Sequence, residues 1–132
     1  MCNQNEWIVR EAFLAYKRGD VPHMMDFVHP DIEWTYLDPA FPDPSPQICH
    51  GRDELEKAVL RYAERGLRPE VEQVVASGEK VFLVTHTPGV DKFRAREAAD
   101  LSFDVVTVKD GLIIALRACR DRAEAQTLAG ID

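Results

Sequence analysis

The spacing of apolar residues changes along this chain from a helical period to a strand period, and this change limits the folds available to it. Near the start, apolar residues recur at steps of three and four: Ile8, Val9, Ala12, Phe13 and Tyr16. This spacing predicts an amphipathic helix, and further helices are predicted from Val21 and from Arg52.

Period-two alternation predicts five strands, at Ile32–Leu37, Arg68–Ala76, Val81–Thr87, Leu101–Val108 and Leu112–Arg120. Asp20 is predicted to cap the second helix, and Asp121 to cap a short terminal helix to about Leu128. The Asp110-Gly111 pair predicts a hairpin turn between the last two strands. Because the helices are largely segregated from a run of strands, the pattern predicts an α+β fold rather than a parallel α/β sheet.

The segment Asp38–His50 is the least regular part of the chain and holds four of its eight prolines. Proline cannot donate a ladder hydrogen bond, so the segment is predicted to be an extended loop. Phe41 and Ile48 give it apolar contacts. The loop is therefore either a lid over a cavity or a surface crossing.

Length and charge narrow the function classes. The 132 residues fit one domain, 1–132, and the net charge of −7 disfavours binding to nucleic acid or to an anionic membrane surface. No apolar run approaches the ~20 residues of a membrane span, and the first residues do not resemble a secretory signal. Three cysteines without close spacing predict neither disulfides nor a zinc site, so we expect a cytoplasmic protein.

Two of the predicted strands are apolar on both faces. Val105 and Val106 are neighbours in one strand, and Ile113 and Ile114 are neighbours in the next. One face can pack on the helices, whereas the other face needs a cover. A second copy of the chain is the simplest cover, which predicts a homodimer through the outer sheet face.

Four segments in this order resemble the SnoaL-like branch of the nuclear transport factor 2-like superfamily, which includes the ketosteroid isomerases: Phe13–Asp20, Phe27–Trp34, His50–Leu55 and Val108–Ile113. The resemblance covers about Glu6 to Ile131. It implies one SnoaL-like domain in which a cone-shaped, curved mixed sheet wraps around the N-terminal helices and encloses an apolar cavity. It also implies a dimer, and it leaves function open because this fold carries many activities.

If Trp34 faces the cavity, alternation predicts which other strand residues do so. The predicted inward residues are Ile32, Trp34 and Tyr36; Phe82, Val84 and His86; Asp104, Val106 and Val108; and Leu116, Ala118 and Arg120. Ligand contact is predicted for Trp34, Phe82, Val84, Val106, Leu116, Ala118 and Arg120. A mostly apolar wall with a few polar groups is typical of a small-molecule site.

Asp104 is the first candidate catalytic residue. By its position before the Asp-Gly turn it resembles the isomerase aspartic acid that holds the substrate oxygen, and an apolar surrounding would keep such an acid protonated. Alternatively, a salt bridge to Arg120 keeps it ionised. His86 is the second candidate, either as an acid or base that Asp104 could orient or as a hydrogen-bonded structural residue. Tyr36 is the third, either as a phenolic donor or as part of the cavity wall.

The chain departs from the isomerase pattern at two positions. Tyr36 stands where the catalytic base is expected, and Ala12 stands where the family has a helix tyrosine. We therefore predict that the chain does not isomerise steroids by that mechanism.

Three functions remain open. The first is a cofactor-independent isomerase, cyclase or hydratase that moves a proton next to a carbonyl or enol of a small apolar substrate. Here Asp104 with His86 transfers the proton, while Tyr36 or Arg120 stabilises the oxyanion. The second is a non-catalytic dimeric binder of an apolar metabolite, and the third a structural dimerisation module. The spacing of the histidines predicts no metal site.

Overall fold

The computed structural model describes residues 4–36, 47–66, 68–86 and 101–131. The helices are α1 (Gln4–Arg18), α2 (Val21–Met25), α3 (Arg52–Glu64) and α4 (Arg122–Ala129). The strands are β1 (Val28–Tyr36), β2 (Gln47–His50), β3 (Glu70–Ser77), β4 (Lys80–His86), β5 (Leu101–Lys109) and β6 (Leu112–Cys119). The α+β prediction is confirmed.

The six strands within the described residues belong to one mixed sheet in the order β2-β1-β6-β5-β4-β3. The β1–β6 pair is parallel and the other four pairs are antiparallel. This curved mixed sheet packed on the N-terminal helices is the predicted architecture. None of the helices in the described ranges is both long and apolar enough to cross a membrane.

The two faces of the sheet pack against different helices. The inner face packs on α1, α2 and α3 and carries Val74, Leu83, Val106 and Leu116, among others. The outer face packs on α4 and carries Phe82, Val84, Val105 and Cys119. The protein therefore has a core on each side of one sheet.

Local sequence signals explain several element ends. The side chains of Asp20 and Asp121 accept hydrogen bonds from the backbone N–H groups of His23 and Glu124, at 3.3 and 2.8 Å. Asp110 and Gly111 both have positive φ, 52° and 82°, as a two-residue hairpin turn requires. The predicted caps and the predicted hairpin are confirmed.

Two strand predictions are corrected. The segment predicted as an extended loop ends in a strand, because Gln47–His50 pairs with β1 from Glu33 to Tyr36. The first strand begins at Val28 rather than Ile32 and so includes Pro30. A register irregularity between Val28 and Glu33 in the pairing with β6 accommodates the missing donor of this proline. The remainder of the proposed lid, residues 38–46, lies outside the described residues.

Helix α4 covers part of the apolar outer face. Ala125 and Ala129 are buried against Phe82, Val84 and Val105. Part of the surface that predicted a second copy is thus covered by the same chain. The homodimer remains a prediction, because packing of α4 explains part of the apolar outer face without a second copy.

Candidate functional site

The candidate site lies on the inner face of the sheet, at the end where β1 finishes with Tyr36. Strand directions bring the ends of β1, β4 and β6 together here with the beginnings of β3 and β5. Thr85 and Asp104 are the buried polar side chains in the described part of the chain, and both lie on this face. An ionisable side chain is costly to bury in its charged form, so buried Asp104 is a candidate functional group.

Strand register places Asp104 between Leu83 of β4 and Ala118 of β6. Thr35 pairs with Arg117, so the next residue, Tyr36, comes level with Ala118 on its other side. Tyr36 and Asp104 are thus separated by two strand spacings, about 10 Å between backbones. The small side chain of Ala118 lies between them.

Aromatic side chains extend the inner face from Tyr36 towards α1. The ring of half-buried Trp34 stacks on Phe13, with 6.0 Å between centroids, and Phe13 stacks on Tyr16 at 6.3 Å. Burial raises the pKa of the Tyr16 hydroxyl above its ordinary value, and Tyr62 raises it further. Tyr16 is therefore a neutral hydroxyl rather than a phenolate under physiological conditions.

The predicted orientation of the β4 residues is wrong. Val81 and Leu83 pair with Val106 and Asp104, so the alternate residues Phe82, Val84 and His86 lie on the outer face. Phe82 and Val84 pack against α4 instead of facing a cavity. Four consecutive apolar residues in β4 are buried, so the sequence does not alternate there between apolar and polar residues. Without this alternation, the inner and outer faces of β4 could not be distinguished from the sequence.

Consequently, His86 does not lie beside Asp104. It is half-buried at the outer face, beside Glu70 of the edge strand. The prediction that Asp104 orients His86 loses its geometric basis.

The remaining predicted residues keep their face. Val106 and Leu116 are buried on the inner face, Ala118 is half-buried, and Asp104 faces the same side. Arg120 is exposed and directly follows β6. Contact of these residues with a ligand stays a prediction.

Sequence reasoning missed two hydroxyl side chains on the inner face. Thr85 and Ser102 are paired across β4 and β5. Ser102 lies two residues before Asp104 in β5, nearer to the end of the sheet at which β1 ends. Thr85 shares a face with Val81 and Leu83, but only the pairing of β4 with β5 identifies that face as the inner one. Together with Asp104 they give this end of the inner face its polar character.

A separate surface pocket of about 250 Å³ lies on the outer face. Its lining includes Glu33, Thr107, Arg117 and Leu128. Its lining mixes five charged or hydroxyl side chains with four apolar ones, and its volume lies below the roughly 300–1,000 Å³ that is usual for small-molecule pockets. This pocket does not match the predicted apolar site.

A family model, the SnoaL-like domain, matches residues 9–116. This match covers most of the chain, including the first five strands and most of the sixth. The chain belongs to the SnoaL-like domain family. The comparison with curated proteins found no relative.

Three solved structures are similar in fold to this SnoaL-like chain. An NTF2-like protein of unknown function from Burkholderia pseudomallei K96243 is 24% identical, with a TM-score of 0.65 over 97% of this chain and 98% of its own. A candidate polyketide cyclase from Sinorhizobium meliloti is 18% identical, with a TM-score of 0.66 over 85% and 93%. A candidate ketosteroid isomerase from Kribbella flavida DSM 17836 is 15% identical, with a TM-score of 0.62 over 87% and 76%. At these identities the likeness shows a shared fold.

Proposed function

We propose that this SnoaL-like protein binds a small apolar molecule on the inner face of its sheet and transfers a proton next to a carbonyl or enol group. The observation that carries the proposal is the burial of Asp104, which is 7% exposed, on an inner face that is otherwise mainly apolar and aromatic. The likeness to a candidate cyclase and a candidate isomerase supports the same class of chemistry.

Asp104 is the proton-transferring group in this proposal. Among the described residues of the inner face it is the one buried carboxyl group, and His86 lies on the other face. As a carboxylate, Asp104 takes the proton from the carbon next to the carbonyl and returns it to another atom of the enol. The substrate is isomerised without oxidation or reduction, so no cofactor is needed.

Tyr36 holds the substrate oxygen. Its phenolic O–H donates to the carbonyl oxygen, and this hydrogen bond strengthens as negative charge develops during enolisation. The gap of about 10 Å between the Tyr36 and Asp104 backbones, with Ala118 between them, leaves room for a carbonyl and its neighbouring carbon. Trp34 supplies apolar contact for the remainder of the ligand.

Proton exchange at the ligand tests this proposal directly. A thermal-shift screen of small apolar ketones first identifies a ligand, and NMR in D₂O then measures deuterium incorporation at the carbon next to its carbonyl. We expect Asp104→Asn to slow incorporation at least about 100-fold while affinity changes by a few-fold, since general acid–base catalysis contributes 10²- to 10⁴-fold. Asp26→Asn, at an exposed carboxylate that ends α2, is the control and should exchange at the wild-type rate.

Two results would contradict the proposal. Undiminished exchange in the Asp104→Asn variant would remove Asp104 from the chemistry. A wild-type protein that binds ligand at saturation without any exchange would be a binder rather than an enzyme.

A further inference from the structure

Three side chains with metal-binding atoms meet at the edge of the sheet, outside the proposed catalytic site. They are Glu70 and Glu72 of β3 and His86 of β4, and one ligand atom from each lies within 4.8 Å of the other two. Glu70 and His86 are direct partners across the two strands. Glu70 and His86 lie at the edge of the sheet on the strand face opposite to that of Asp104.

An irregularity in strand pairing contributes Glu72 to this cluster. The pairing of β3 with β4 shifts between Val71 and Gln73, so Glu72 has no partner on β4. Such a bulge bends the strand and re-aims its side chain. Because β3 is also the edge strand, the two carboxylates and the imidazole are accessible from solvent on one side.

We propose that Glu70, Glu72 and His86 form a binding site for a divalent transition-metal ion such as Zn²⁺. Two carboxylate oxygens and one imidazole nitrogen are a donor set that suits Zn²⁺, Mn²⁺ or Fe²⁺, while Mg²⁺ and Ca²⁺ prefer oxygen donors alone. Three protein ligands leave at least one coordination position for water.

The geometry needs only small side-chain movements to close on an ion. At metal–ligand distances near 2.1 Å, tetrahedral ligand atoms are roughly 3.4 Å apart. Glu70 and His86 are half-buried and Glu72 is exposed, so rotation of these side chains can bring their atoms from within 4.8 Å to that spacing. The strands need not move.

Lys17 gives this site a competitor that can be tested. Its Nζ lies 3.5 Å from Oε1 of Glu70, and about half of each side chain is exposed, 51% for Lys17 and 42% for Glu70. The ammonium group partly neutralises the two carboxylates and would have to move aside, or share Glu70, when a metal ion binds. Removal of this charge should therefore tighten metal binding.

Sequence spacing did not reveal the site, because Glu70 and Glu72 are far from His86 along the chain. The histidines alone predicted no metal site, and pairing of β3 with β4 supplies the two carboxylates.

Isothermal titration of metal-free protein with ZnCl₂ near pH 7.5 tests the proposal without any catalytic ligand. We expect saturable binding of one ion, with affinity at least about tenfold weaker in His86→Asn and in Glu72→Gln. Mutation of residues that only hydrogen-bond to metal ligands already costs roughly 10- to 100-fold in affinity, so loss of a ligand should cost at least as much. His50→Asn, at an exposed histidine elsewhere, is the matched control and should bind as wild type. Lys17→Met should bind Zn²⁺ several-fold more tightly.

The absence of saturable binding would overturn the proposal. Binding that is unchanged in both ligand variants, or lost in His50→Asn, would place the ion elsewhere and would also overturn it. Circular dichroism of each variant checks that its fold is intact, and neither outcome depends on the role of Asp104.

Discussion

Truncation of Phe82 distinguishes the observed packing of β4 from the orientation that the sequence predicted. Phe82 of β4 is fully buried between the sheet and α4, beside Ala125 and Ala129. The Arg122 guanidinium lies 5.8 Å from the centre of its ring. Phe82→Ala removes a fully buried aromatic side chain, which costs about 3–5 kcal/mol. The lost cation–π contact adds roughly 0.5–1 kcal/mol.

Urea unfolding followed by circular dichroism measures this loss. For a chain of this length each kcal/mol lowers Tm by roughly 3–5 °C, so the summed loss of about 3.5–6 kcal/mol should lower Tm in a thermal melt by about 10–30 °C. Phe103→Ala is the graded control, because Phe103 is only half-buried and also lies beneath Arg122, at 5.3 Å; its loss should be smaller. A loss below about 1.5 kcal/mol in Phe82→Ala, with altered ligand affinity, would show that Phe82 lines a cavity and refute this reasoning.

Three further predictions concern the thiol, the terminal helix and the proposed ligand space. Burial, followed by nearby carboxylates, raises the pKa of Cys119 from 9.0 to about 12, so its thiol should react slowly with a disulfide reagent at about pH 8 in the native state. The pKa of this thiol is higher in the folded state than in the unfolded state. Its ionisation therefore leaves the free energy of unfolding unchanged below about pH 9 and lowers it as pH rises from 9 towards 12. The urea midpoint of Cys119→Ala should therefore fall less than that of wild type above about pH 9. Asp121→Ala removes the α4 cap and should cost about 1 kcal/mol in urea unfolding; no change would remove the cap's role. Ala118→Leu should abolish ligand binding by filling the space between Tyr36 and Asp104, and full retention of affinity in a titration would contradict the proposed site.

The helices and most strands were predictable because their signals are local. The apolar stripe of α1, the Asp20 and Asp121 caps and the Asp110–Gly111 turn each depend on neighbours within a few residues. Strand β2 carried no such signal, since it is short and follows a proline-rich segment. It is identified only by its pairing with β1.

The candidate site was predictable only in part, because facing depends on long-range register. Trp34 and Leu116 have the predicted face, and the exposed charged residues Glu33 and Arg117 beside them lie on the opposite face. Asp104 also has the predicted face, which its pairing with Ala118 fixes. In β4 both faces are buried, one by the N-terminal helices and one by α4. No periodicity could choose between these two cores, so His86 and Phe82 were assigned to the wrong face.

Intermolecular nuclear Overhauser effects from a bound ligand test the central claim most directly, since they locate the ligand on one face of the sheet. The proposal predicts contacts from the ligand to the rings of Trp34 and Tyr36 and to the Ala118 methyl group. Contacts instead to Thr107 and Leu128, in the outer-face pocket, would contradict it.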